Sequence, residues 1–129
     1  MDEIVKELIT VTKEVNGDIV SIPIRDILFG IYDGLVDRII VHTRTEFYYL
    51  HSTLVFWTTT LRNSGYNFFK ADRYHMINVD NITILDERKR CVYFDEEPSK
   101  KSKRCLLAYH KFTEVRQELL FLNPSILIT

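Results

Sequence analysis

Short apolar runs separated by polar breaks fill most of the chain, largely at the two-residue period of half-buried strands. Residues 8–12 (Leu-Ile-Thr-Val-Thr) predict a first strand, Asn16-Gly17 a hairpin turn, and residues 18–22 the return strand. Pro23 is expected to break that ladder, because it has no N–H to donate, and residues 24–27 to form a connector of one helical turn. Residues 27–32 read as the next strand, and Asp33-Gly34 opens a loop that reaches about Asp37. Residues 38–43 then pair with residues 46–50 across Arg44-Thr45, which makes a meander.

The period changes after His51. Ser52 or Thr53 can cap a helix, Leu54, Trp57, Thr58 and Leu61 follow at helical spacing, and Gly65 can take the left-handed cap. This predicts a helix near 53–64. Strands resume at 68–71, which lead into Asp72-Arg73-Tyr74-His75, and continue at 76–79 and 81–85. After a charged turn at 86–90, residues 91–94 and 104–109 read as a hairpin around residues 96–99. Phe112, Val115, Leu119 and Leu122 restore the helical period and predict a C-terminal helix near 111–122, stopped by Asn123-Pro124. Residues 123–129 form a tail whose last five residues are expected to fray, although Ile126, Leu127 and Ile128 could dock on the body.

Composition supports a mainly β reading. There are 7 Tyr and 8 Phe, while Ala occurs only at Ala71 and Ala108. A length of 129 residues suits one domain spanning 1–129. With 4 glycines there is no Gly-rich phosphate loop. No apolar run, residues 119–122 included, approaches the length of a membrane span, and Met1-Asp2-Glu3 lacks an apolar signal core. The expected compartment is the reducing cytoplasm.

Candidate chemistry is sparse. His42, His51, His75 and His110 lack the close spacing of a zinc pair, so no metal site is expected. His42 reads as a half-buried, hydrogen-bonded strand residue. Cys91 and Cys105 could face each other on their hairpin, but in a reducing compartment they read as buried free thiols. No nucleophile motif or dinucleotide fingerprint occurs, and the carboxylates at Asp33, Asp37, Asp95, Glu96 and Glu97 lie in turns, so no enzyme and no cofactor is expected.

The order of the pieces resembles the LytTR DNA-binding domain of bacterial transcription regulators. Three stretches carry the resemblance: Ile24-Arg25-Asp26-Ile27-Leu28-Phe29; Ile40-Val41-His42-Thr43 with Tyr48-Tyr49 and the following helix; and the run from Phe69 through Asp72-Arg73-Tyr74 and Asn78 to Ile82. The likeness covers about residues 8–120 and is nearest to members without a receiver domain. It implies an elongated, mainly β domain of about ten short antiparallel strands in small sheets, with short helices. It also implies loops that enter successive major grooves at direct repeats in promoters, with a possible homodimer on the DNA. The DNA-contacting positions it implies are Asp37 and Arg38, then Asp72, Arg73 and Tyr74, then Tyr109, His110 and Lys111. Where the family usually has His and Ser, this chain has Asp72 and Tyr74. Asp72 could orient Arg73, read a base, or weaken binding.

Charge agrees in outline. The total is 17 bases against 18 acids, yet residues 1–35 carry a net of −4 and residues 36–129 a net of +3. Arg38, Arg73 and Lys111 flank strand ends, where Arg can grip guanine and Lys a phosphate. Lys100, Lys101, Lys103 and Arg104 read as a phosphate-steering run, or else as a solvated hairpin tip. The expected function is a sequence-specific DNA-binding regulator; the alternative is an interaction module of the same fold that has lost strong DNA binding and partners another regulator.

Overall fold

The alternating pattern at the start of the chain folds as a hairpin. In a computed structural model describing residues 7–129, β1 (Leu8–Thr12) pairs antiparallel with β2 (Ile19–Pro23). The acidic start Met1-Asp2-Glu3 lies outside the described residues. Ile9, Val11 and Ile22 turn inward, while Leu8, Ile19 and Ser21 face out. Pro23 stands opposite Leu8 as the last rung, so it ends the ladder without interrupting it.

A single 3-10 turn, Ile24–Asp26, leads to β3 (Phe29–Asp33), β4 (Arg38–His42) and β5 (Phe47–Leu50). Helix α1 (Leu54–Asn63) follows, then β6 (Phe68–Lys70) and β7 (His75–Asn78). These strands form one antiparallel sheet in the order β2-β1-β5-β4-β3-β7-β6. The caps of α1 follow the sequence reading: Thr53 Oγ1 accepts from the Phe56 amide at 3.0 Å. Gly65 sits at φ 94°, in the left-handed region, while the Tyr66 amide bonds back to the Leu61 carbonyl.

The second sheet contains β8 (Ile84–Asp86), β9 (Cys91–Tyr93), β10 (Arg104–Leu106) and β11 (Leu127–Ile128), in the order β10-β9-β8-β11. Helix α2 (Phe112–Leu122) connects β10 to β11. Two expectations are corrected here. The last residues do not fray, and the strands are not all antiparallel: β11 runs parallel to β8, with Leu127 opposite Ile84. Asn123 is the cause. Its side chain donates to the Val79 carbonyl at 2.9 Å and accepts from the Ser125 amide at 3.1 Å, which reverses the chain after α2 and seats the buried Ile126.

Two strands are shorter than their apolar patterns suggest. Residues 79–81 form a 3-10 turn before β8, and the chain leaves β10 after Leu106 to form another at Tyr109–Lys111. Val79 in the first of these turns is buried by packing, which periodicity alone reads as strand.

The core has two clusters. Ile9, Val11, Ile39, Val41, Leu50 and Met76 pack under α1, while Phe29, Ile77, Leu85, Val92, Phe94 and Leu119 pack between the sheets and α2. Successive strand residues point to opposite faces, so Met76 enters one cluster and Ile77 the other. Asn78 and Asn81 fasten the 79–81 turn to the segment that leads into β3: both side-chain amides donate to the Ile27 carbonyl, at 3.0 and 2.9 Å.

The cysteines are free and buried. Cys105 stands opposite Val92 and Cys91 opposite Leu106, so the thiols lie on opposite faces of the hairpin and cannot face each other. Burial pushes both thiol pKa values up. His42 departs from its expected role as well. Its ring stacks on Phe29 at 4.6 Å, and its buried Nδ1 has no hydrogen-bond partner. Burial, with Lys103 nearby, lowers its pKa from 6.5 to about 4.

Candidate nucleic-acid interface

The tight loop between β6 and β7 organises the site. The Ala71 amide bonds to the His75 carbonyl at 3.0 Å, which closes the loop. Inside it, Asp72 Oδ1 accepts from the Tyr74 amide at 2.8 Å and lies 2.8 Å from His75 Nδ1. A carboxylate only accepts, so Nδ1 carries the proton. Burial alone pushes the Asp72 carboxyl up; the bonds from His75 and from the Tyr74 amide outweigh it and hold the pKa below its ordinary value. Asp72 is 9% exposed, and its carboxylate is used up within the loop. Arg73 and Tyr74 are therefore driven outward at the apex, with the guanidinium carbon 5.8 Å from the Tyr74 ring centroid.

Two concavities flank this apex. One, of about 760 Å³, joins Arg73 and Tyr74 to Asp37, Lys70 and the residues that open α1. The other, of about 520 Å³, joins Asp72, Arg73, Tyr74 and His75 to Leu106, Leu107, Ala108, His110 and Lys111. Arg73 and Tyr74 form a ridge between the two. Three segments far apart in sequence thereby become one continuous surface.

Asp37 occupies its place through a second polar device. The residue sits at φ 52°, and the Tyr32 hydroxyl donates to its Oδ1 at 2.7 Å. Tyr32 is itself tied to the apex loop, since its amide bonds to the Tyr74 carbonyl at 2.9 Å. The Asp37 loop and the Arg73 loop are thus braced against each other by one residue that the sequence pattern showed only as part of a strand.

Arg38 lies apart from both concavities. Its guanidinium donates to the Asp37 carbonyl at 2.8 Å and to Asn16 Oδ1 at 3.3 Å, back toward the β1–β2 turn. The basic run divides as well. Arg104 stacks on Tyr93 at 4.9 Å and donates to the carbonyls of Ser99, Lys100 and Ser102, latching the 99–102 loop. Lys103 donates to the Glu46 carbonyl. Of this run, Lys100 and Lys101 are exposed, while Lys103 and Arg104 are half-buried.

Tyr109, a position the resemblance implies, is 75% exposed and carries Arg90 over its ring at 4.2 Å. Another residue of this surface escaped the sequence reading. Leu106 is 62% exposed between two buried neighbours, Cys105 and Leu107. Strict alternation gives the signal for Leu106: if 105 and 107 face the core, 106 faces out. Among the described residues, no group of three or more His, Cys, Asp or Glu side chains is gathered to hold a metal ion, and no helix is long and apolar enough to cross a membrane.

The family profile described as the LytTr DNA-binding domain matches residues 17–119. Among solved structures, the chain is similar to the LytTr DNA-binding domain of a protein from Bacillus cereus described as a methyl-accepting/DNA response regulator. The TM-score is 0.64 at 15% identity, covering 89% of this chain and 97% of that one. At that identity the likeness speaks for the fold. No curated protein matches the chain.

Proposed function

The chain belongs to the LytTR DNA-binding domain family, and on that premise we propose that it is a sequence-specific transcription regulator that reads repeated promoter sites through loops in the major groove. The observation that carries this reading is the surface on which Asp37, Arg73, Tyr74, His110 and Lys111 meet around two concavities. Arg73 at the apex has no ion-pair partner among the described residues, which leaves its planar fork free for guanine O6 and N7. Lys111 suits a phosphate and His110 a base edge. Asp72 works from behind, by holding the loop that presents Arg73. Arg38 shapes the Asp37 loop and adds its charge, while Lys100 and Lys101 supply steering at a distance.

In this reading the protein acts in the cytoplasm as a single domain over residues 1–129. Two copies occupy the two repeats, and promoter occupancy replaces catalysis. Backbone-amide chemical-shift mapping with a promoter duplex tests it. The expected shifts cluster at residues 34–37, 71–75 and 108–111. A duplex that leaves those amides unmoved overturns the proposal.

One observation favours the interaction-module alternative. Tyr74 and Leu106, 50% and 62% exposed, line the same concavity, and exposed apolar side chains close together suit a protein partner. The same mapping decides the matter, because an interaction module shifts at these residues with a partner regulator and not with DNA.

A further inference from the structure

The concavity between the apex loop and the turn after β10 has an unusual division of chemistry. Its lining is partly apolar: Leu106 is exposed there, next to the half-buried Ala108 and the buried Leu107. Two cations, Arg73 and Lys111, also line it, neither with an ion-pair partner among the described residues. The one carboxylate at its edge, Asp72, is held by the Tyr74 amide and the His75 ring. It accepts from neither cation.

A polyanion with apolar points along its edge is the occupant that such a surface fits. In the major groove of duplex DNA the one apolar group is the C5-methyl of thymine, and it lies between two rows of phosphates. The two cations match the phosphates, and the exposed Leu106 matches the methyl. We propose that this concavity is a thymine-reading site, in which the exposed Leu106 side chain covers the methyl groups of one or two thymines next to the base pair that Arg73 contacts. The inference rests on the DNA-binding reading and adds to it a base preference and the residue that sets it.

The alternation of β10 explains why Leu106 is there. Cys105 and Leu107 must face the core, so position 106 must face the groove. A leucine there gains nothing from the protein's own core; its apolar surface is satisfied only when something apolar covers it.

The test uses the full chain and duplexes selected by it from a random 20-base-pair pool. Each thymine of the selected duplex is replaced in turn by deoxyuridine, which removes the methyl and keeps every hydrogen-bonding group. The expected result is a loss of roughly fourfold in affinity at one or two positions, the size of burying one methyl group, and no loss elsewhere. Leu106→Asn, at an exposed position, is expected to keep the melting temperature and to bind the thymine and deoxyuridine duplexes equally. If every replacement is neutral while binding stays salt-dependent, the thymine site is overturned and the DNA-binding reading stands. If no duplex is selected at all, both fall.

Discussion

Asp72 and His75 form the pair on which the apex loop turns: Asp72 Oδ1 lies 2.8 Å from His75 Nδ1, and the same oxygen accepts the Tyr74 amide. An acidic residue in a DNA-facing loop would repel phosphates if it were free. Here its charge is enclosed, and what reaches the surface is Arg73. Asp72→Ala is therefore expected to lower stability by about 1–3 kcal/mol, because it leaves a buried donor without its acceptor. It should also weaken DNA binding. A plain repulsion model predicts the reverse, a gain in affinity. Chemical denaturation and a duplex titration of the same variant separate the two.

The same pair gives a pH dependence. The folded Asp72 carboxyl is held below its ordinary value of 3.8, so the unfolded chain takes up its proton first as pH falls. The stability it contributes is present in full above about 3.8 and is lost as pH falls through the lower folded value. Denaturation between pH 5 and 2 should show a decline in the wild type that is shallower in Asp72→Asn.

His42 gives a second window. Its folded pKa of about 4 lies below the ordinary 6.5, so between those values the unfolded state binds more protons. Stability should fall as pH drops from 6.5 toward 4. His42→Phe keeps an aromatic ring against Phe29 and removes the titration, so its stability should be flatter across that window. A variant as steep as the wild type would assign the slope to other groups.

The basic run should divide by function. Arg104→Ala removes the latch on the carbonyls of Ser99, Lys100 and Ser102 and is expected to cost about 1–3 kcal/mol of stability. Lys100→Ala and Lys101→Ala are exposed changes, expected to leave the melting temperature within a degree or so and to reduce the salt dependence of DNA binding.

The caps of α1 give a control away from the proposed DNA contacts. Gly65→Ala places a side chain at φ 94° and should cost about 1 kcal/mol. At saturating folded protein its duplex affinity should match the wild type, as measured by thermal melts and titration together.

These residues also show what a sequence can disclose. The Thr53 and Gly65 caps and the paired strands were legible because each rests on local backbone chemistry, whereas the β1–β2 connection is a six-residue loop that turns at residues 15–16 and not at Asn16-Gly17. The parallel β11 was not, because it depends on Asn123 reaching the Val79 carbonyl across 44 positions. Asp72 was ambiguous for a similar reason: its meaning lies in where His75 and the Tyr74 amide sit once the loop closes. The charge pattern of residues 100–104 hid a difference between its members, since Lys103 and Arg104 donate to backbone carbonyls that composition cannot show. The grouping of Asp37, Arg73 and Lys111 came from the family resemblance; the two concavities that join them exist only in the fold.

The central claim is that Arg73, presented by the Asp72–His75 loop, holds the DNA. A salt titration of wild type and Arg73→Ala on the same selected duplex tests it most directly. The account predicts log affinity falling linearly with log salt for the wild type, and a loss of about 1–3 kcal/mol for Arg73→Ala with relaxed preference at one base pair. An Arg73→Ala curve that overlays the wild type at every salt concentration would contradict it.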